Sequence, residues 1–421
     1  MKRLLAIMCV LMLMVSVAGA ETKINATENR GIKLSKVDST SVPDGVTPAL
    51  ANVPEGVSPT TGLTLSDYDV PAGYAGLAAT GIYFPVLVQI SCPYDEKTYA
   101  CGTGNRAPWG VQYADIIYEL PLHQNGEVRM SALFSDVIPD AVGPIRSARV
   151  GHVWLREEWD CGFMYYGQQE YKRTNVIVEV RRTGASEKGL LWPGTSGSSR
   201  PWKAYYTKYT SKILHNSALK APNNRSGNPA GFILDYLVQD LSNPVWSDVL
   251  IYPTLIKATR LYADDAYTGG DSADTIHVSW NRKDSNEIYR YNASSDVYER
   301  YLQSDAKNSD PVQWVELESQ VPLTFSNLIV QWTETTYLGR DAPVTQNIGA
   351  YDEKSNTYAA AGGNCDIFMN GRHIAGYWQR DAINEHTAYY DENGQQVALQ
   401  RGKTMVIQLP LENSGLKKPH G

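Results

Sequence analysis

Between residues 114 and 120 apolar and polar positions alternate. Ile116 and Tyr118 fall on one face, and Asp115, Ile117 and Glu119 on the other. A period of two is that of a half-buried strand. Upstream, residues 83–90 are apolar almost throughout and read as a strand buried on both faces. Downstream, residues 128–134 form a second strand after a Gln124-Asn125-Gly126 turn. Gly143-Pro144 then breaks the chain. Pro144 suits the first position of a helix, where its missing N–H needs no partner. The spacing predicts a helix over residues 145–159, with Val150, Val153 and Trp154 toward a core. Residues 162–166 read as another buried strand, so that strand, helix and strand suggest a βαβ unit. Shorter helices are predicted over 205–216 and 231–241.

From about residue 274 the texture changes to short strand-like runs at 275–280, 287–292, 297–303, 328–332 and 405–409. Asn370-Gly371 and Asn393-Gly394 supply hairpin turns, since Asn-Gly favours the type I′ geometry. The expected fold class is α+β: an α/β N-terminal domain at 81–270, then a β-rich antiparallel C-terminal domain at 271–412. Residues 21–80, rich in Pro, Gly, Ser and Thr, read as a flexible linker that buries too little apolar surface to order itself. Residues 1–20 have the form of a signal peptide: Lys2 and Arg3, an apolar run, then Ala18-Gly19-Ala20 as a cleavage site. That run is too short for a comfortable membrane span of ~20 residues, and no later stretch is apolar enough. The expected location is extracytoplasmic, secreted or associated with the cell envelope.

A net charge of −7 over 421 residues argues against a general nucleic-acid binder, which shows a basic excess. Tyrosine is frequent, at 27 against 6 Phe. That suits sugar stacking, and equally the sheets of a secreted β-rich protein. Export makes disulfides chemically possible. Cys92 and Cys101 flank one polar loop and form the natural local pair, which leaves Cys161 and Cys365 to bridge the two halves. No metal site is expected, because C-x-x-C is absent and the seven His are scattered. No cofactor is expected either. The loop at 193–199 lacks the spacing of a phosphate-binding loop and reads as a flexible surface loop.

The candidate chemistry is cationic. Arg146 and Arg149 are three apart, at what the sequence predicts to be the start of a helix. Cations oppose the macrodipole there, by about 0.3–1 kcal/mol, so the placement implies a compensating partner. That partner is either an internal carboxylate such as Asp115, Glu119 or Glu127, or an external anion held by the planar guanidinium fork. Arg129 lies on the neighbouring strand and completes the candidate cleft. Asp115 and Glu119 are also candidates for a carboxylate pair. No Ser–His–Asp order, G-x-S-x-G or H-E-x-x-H occurs.

The stretch ADIIYE, then RMSALF, then VGPIRSAR, resembles the YerB-like family of bacterial cell-envelope proteins. Asn364-Cys365-Asp366-Ile367-Phe368, Asn370-Gly371, Gly376-Tyr377-Trp378 and Arg401-Gly402-Lys403-Thr404 fit as well. The resemblance covers about 84–175 and 276–410. It implies an envelope protein, usually a lipoprotein, with no established reaction. Cys9 lies inside the apolar run, away from the cleavage point, so the usual lipid anchor is not expected. Members often carry His where Tyr165 stands, and Pro-His-Asn where Pro222-Asn223-Asn224 stand. Any chemistry those histidines perform is therefore not expected here.

Two function classes follow. The first is a non-enzymatic binding protein that takes a cell-wall polymer or an envelope protein through the arginine cleft. The second is a hydrolase or transferase acting on a wall polymer, with Glu119 as acid or base and the arginines holding an anionic group. The missing nucleophile–base set favours the first.

Overall fold

The computed structural model of the chain describes residues 21–25, 55–93, 99, 100, 102–123, 127–172, 174–194, 200–214, 219–240, 242–247, 262, 263, 269–280, 286–303, 310–339 and 342–411. The expected signal peptide, Cys101 and the Gly/Ser loop at 195–199 lie outside these residues. The main strands are β1 (Val86–Ser91), β2 (Ile116–Pro121), β3 (Val128–Phe134), β4 (Gly162–Tyr165) and β5 (Leu191–Pro193) in the first half. The second half supplies β6 (Thr275–Ser279), β7 (Asn286–Asn292), β8 (Val297–Gln303), β9 (Asn327–Thr333), β10 (Ala361–Met369), β11 (Arg372–Arg380) and β12 (Thr404–Pro410). Helices α1 (Val150–Trp159), α2 (Val176–Arg182) and α3 (Pro229–Leu237) join them. The fold is mixed, with sheet predominant.

One 11-stranded sheet runs through both halves of the chain. Its order from Asp271–Ser272 is β11, β10, β9, β12, β2, β3, β1, β4, β5, and Ala388–Asp391 pairs with β11. The last strand makes the junction: β12 lies parallel to β9 on one side and to β2 on the other. A six-stranded sheet built on β6, β7 and β8 packs against one face of the main sheet. Helix α1 packs on the opposite face.

That layering decides which positions are buried. Ile116, Tyr118 and Leu120 of β2 pack with Val153, Leu155 and Trp159 of α1. Ile117 faces the second sheet, with Met130 and Ile407. The two faces of β2 were assigned correctly by alternation, but the strand is buried on both rather than half-buried. Polar residues on it, Glu119 included, therefore need internal partners.

Four further expectations are corrected. Helix α1 begins at Val150, not at 145. Residues 142–148 are extended instead: Ile145 N–H donates to Arg225 O at 2.8 Å, Arg146 N–H to Gln89 O at 2.9 Å, and Ala148 N–H to Gly167 O at 3.0 Å. These bonds and the burial of Ile145 in the core outweigh the preference of Pro144 for a helix start. Strand β4 pairs in parallel with β1, not with β3, which immediately precedes α1. Where a helix was expected over 205–216, a 3₁₀ turn at Pro201–Tyr205 leads into a hairpin of Tyr206–Lys208 with Arg225–Gly227.

The linker reading also fails from residue 55 onward. Ser58, Thr60 and Thr61 are buried, and Ser58 and Thr61 donate to the two carboxylate oxygens of Asp136 at 2.7 and 2.9 Å. Hydroxyl groups do here what apolar side chains do elsewhere, so a composition poor in hydrophobic residues still docks.

Candidate functional site

The starts of β3 and α1 meet on the helix-bearing face of the main sheet. Register puts Arg129 beside Ser91 of β1 and Leu120 of β2. Leu120 faces α1, so Arg129 shares that face. The approach is close: a Cβ on Gly151, in the first turn of α1, would meet Leu120 at 3.1 Å. Arg149 is the residue immediately before the helix. Its Nη1 donates to the backbone carbonyl of Ala148 at 3.0 Å. Arg146 stands on the extended segment next to β1 and is half-buried. Arg106 and Glu127 pair at 3.1 Å.

The arginines act on one another. Arg129 is only 7% exposed, and among the described residues its Nε has no acceptor. Burial, then the charges of Arg149 and Arg146, push its pKa well below the ordinary guanidinium value, and Glu127 opposes them. Arg146 is pushed down to about 10, by burial first and then by Arg106, and its Nε also lacks an acceptor. Cations crowded this way in a dry place are costly unless an anion joins them.

His152, which sequence reasoning passed over, belongs to this cluster. Its Nδ1 accepts the Arg149 N–H at 3.0 Å, so the proton sits on Nε2. Nε2 is buried and has no partner among the described residues. Burial, with Arg149 and Arg129 nearby, holds the ring well below the usual histidine pKa and keeps it neutral. The three-residue spacing of Arg149 and His152 across a helix start was the available signal. Beneath them Gln89 Nε2 donates to Ser131 Oγ at 2.7 Å, and Gln89 Oε1 has no partner.

The carboxylates proposed as partners for Arg146 and Arg149 are engaged elsewhere. Glu119 points to the opposite face of the sheet, where Arg300 Nη2 from β8 meets its Oε1 at 2.5 Å. The same guanidinium bridges to Glu287 at 3.1 Å and lies 3.8 Å from the centre of the Trp314 ring. Burial outweighs Arg300 and pushes Glu119 up to about 8. The pKa of a general acid is thus present, but the side chain is 0% exposed. Arg300 and Glu287 lie more than 160 residues along the chain from Glu119, and only the fold brings them in.

Asp115 sits in a separate cluster. It accepts Ser135 N–H at 2.6 Å, Ser135 Oγ at 2.8 Å and Asp136 N–H at 3.1 Å. Burial and the charge of Asp136 raise its pKa well above the carboxylate range. Asp115 and Glu119 therefore form no shared pair.

The disulfide expectation is corrected. Cys92, Cys161 and Cys365 are free and buried. Cys92 Sγ lies 3.3 Å from both Glu119 Oε1 and the Pro93 carbonyl, which puts the thiol at the edge of the Arg300 cluster. Among the described residues, no group of three or more His, Cys, Asp or Glu is placed to hold a metal ion.

The positions where the family resemblance implies histidine flank the same extended segment. Tyr165 is buried in β4 and its hydroxyl donates to Gln168 at 3.2 Å. Tyr166 N–H donates to Arg146 O at 3.0 Å, and Ile145 takes its carbonyl partner from Arg225, the residue after Asn224. A cavity of about 440 Å³ lies on the other side of α1, lined among others by Val150, Trp154, Glu179, Arg182, Ile348 and Tyr351. Its buried acid is satisfied internally: Glu179 accepts from Trp154 at 2.7 Å and from Arg182 at 3.2 Å.

Comparison with known proteins adds the following. Residues 102–223 match the N-terminal domain, and residues 276–406 the C-terminal domain, of a protein of unknown function, DUF3048. A curated relative, "Putative lipoprotein YerB" of Bacillus subtilis (strain 168), is 22% identical over 317 residues, which is 74% of this chain and 80% of the relative. The crystal structure of the YerB protein from Bacillus subtilis matches with a TM-score of 0.56 at 18% identity, covering 85% of this chain and 98% of that one. That likeness speaks for the fold.

Proposed function

Taking as its premise that the chain belongs to the YerB-like family, whose two domains have no assigned function, we propose a binding role at the cell envelope. The protein holds an anionic group of a cell-wall polymer or an envelope protein in the cleft of Arg129, Arg146 and Arg149. The observation that carries this reading is Arg129, almost wholly buried, with an Nε that meets no acceptor among the described residues. Supporting it, Glu119 is taken by Arg300, Asp115 by Ser135 and the Asp136 amide, and Glu127 has Arg106 beside it. Envelope association rests on the signal-like N-terminus and on the lipoprotein name of the Bacillus relative. Among the described residues no helix is long and apolar enough to cross a membrane.

The test is a titration of the exported protein with purified wall polymers, with release of fragments followed in parallel. Binding without turnover, lost in Arg146→Ala and kept in Glu119→Gln, supports the proposal. Fragment release abolished by Glu119→Gln would establish the hydrolase or transferase reading instead.

A further inference from the structure

We infer that the group taken by the arginine cleft is a dianionic phosphoryl group, free phosphate or a phosphomonoester, in preference to a carboxylate. This rests on the anion-binding reading above. The first argument is charge. With Arg106 set against Glu127, the guanidinium groups of the cleft are Arg129, Arg146 and Arg149, and among the described residues the Nε–H groups of Arg129 and Arg146 meet no acceptor. A carboxylate brings one negative charge, less than these two groups carry. A phosphomonoester carries about −1.5 to −2 near pH 7 and comes close to matching the two with open Nε–H donors.

The second argument is direction. The unpartnered donors come from three different elements. Arg129 rises from the sheet floor on β3, Arg146 from the extended segment beside β1, and His152 Nε2 from the first turn of α1. A carboxylate is planar, with two oxygens suited to a single guanidinium fork. Three terminal oxygens in a tetrahedron reach donors that converge from three sides. Against three unpartnered donors, Gln89 Oε1 is the acceptor on this floor without a partner. The O and N of a glutamine amide exchange places by a rotation, so it adapts to a ligand of either sense.

The pH dependence separates the phosphoryl group from other anions. The charged and titratable groups around the cleft are Arg106, Arg129, Arg146, Arg149, Glu127 and His152. Guanidinium groups keep their charge across the neutral range. His152 is held neutral, well below its ordinary value. Any rise in affinity between pH 5 and 7.5 then belongs to the second ionisation of the phosphoryl group, with pKa about 6 in a phosphomonoester and about a unit higher in inorganic phosphate.

The experiment is calorimetric titration of the folded protein with inorganic phosphate, glycerol 1-phosphate, a glycerophosphodiester, sulfate and acetate, at pH 5 and pH 7.5. Glycerol 1-phosphate is expected to gain roughly tenfold in affinity between the two pH values, and inorganic phosphate, which ionises about a unit higher, more than about tenfold. Sulfate, a dianion throughout, stays level, and acetate and the diester bind at least tenfold more weakly at pH 7.5. Arg146→Ala, on the half-buried rim, is expected to lose the phosphate site while its melting point holds. Glycerol 1-phosphate binding above inorganic phosphate would assign the source to the phosphorylated end of a larger molecule, and equal binding to free phosphate. Acetate as tight as phosphate at pH 7.5 overturns the inference and leaves the anion cleft standing. No binding by any of the five, with wild type and Arg146→Ala alike, removes the cleft itself.

Discussion

Removing Arg300 is expected to destabilise the fold sharply, in a way that depends on pH. This guanidinium is 3% exposed and lies 2.5 Å from Glu119 and 3.1 Å from Glu287, both also buried. Arg300→Met keeps much of the side-chain volume against Trp314 but removes the cation shared by two acids. Breaking a buried ion pair from one side costs about 3–5 kcal/mol. For a chain of this size that corresponds to a fall in Tm of about 4–6 °C, read by calorimetry at pH 7. The pH dependence follows from Glu119. Its folded pKa is raised to about 8, whereas an unfolded glutamate ionises near ~4.3. The folded state then binds more protons than the unfolded one. Glu119's contribution is therefore present at low pH, is lost as pH rises toward 8, and levels off above it. Without Arg300 the folded value moves higher still, and the variant goes on losing stability where the wild type has levelled. The stability gap should widen between pH 7 and pH 9.5, by at most ~1.4 kcal/mol per pH unit, and the Tm gap with it. A gap of under ~1 kcal/mol at pH 7, or one that stays constant to pH 9.5, would refute the assignment of Arg300 as the counter-charge of Glu119.

Three other outcomes are expected. Asp136→Ala leaves the hydroxyls of Ser58, Thr61 and Tyr68 without their carboxylate, at about 1–3 kcal/mol for each buried group left unpaired. Limited proteolysis should then cut near residues 58–68 in the variant and not in the wild type. Cys92, Cys161 and Cys365 should resist alkylation in the folded protein and react fully in denaturant without reductant. A Cys161–Cys365 peptide in a non-reducing digest would contradict that. Glu119→Gln should bind wall polymers as the wild type does, since Glu119 faces away from the arginine cleft; a tenfold loss measured by titration would place it in the site.

What was legible in the sequence was local. Alternation gave the two faces of β2, and the Asn370-Gly371 turn between β10 and β11 appears with both residues at positive φ, 53° and 64°. The end of α1 at Trp159 was also read correctly, while its start was not. Pro144 permits a helix start, but the segment after it forms backbone bonds to Gln89, Arg225 and Gly167, and no local signal shows partners so far along the chain. The same holds for β12, which joins the two halves by parallel pairing with a strand nearly 290 residues earlier. Arg146 and Arg149 were singled out by their spacing after Pro144 at an expected helix start, and Arg129 by its place on the neighbouring strand; their electrostatic coupling with Arg106 and His152 emerges only from the fold. Glu119 and Asp115 shared a strand face in the sequence, yet each was claimed by different distant residues, Arg300 in one case and Ser135 in the other. The disulfide reading failed because spacing says nothing of where a thiol points, and Cys92 points at Glu119.

The central claim is that the unpartnered N–H groups of Arg129 and Arg146 await an anion. It is tested most directly by following arginine Nε–H resonances in protein labelled with ¹⁵N at arginine while phosphate is added. The Nε–H signals of Arg129 and Arg146 should shift downfield and saturate together as each gains an acceptor. Those of Arg156 and Arg380, already bonded to Cys161 O at 2.8 Å and Glu385 O at 3.1 Å, should stay in place. Arg129 and Arg146 signals that remain fixed at saturating phosphate, or that move no more than those of Arg156 and Arg380, would contradict the account.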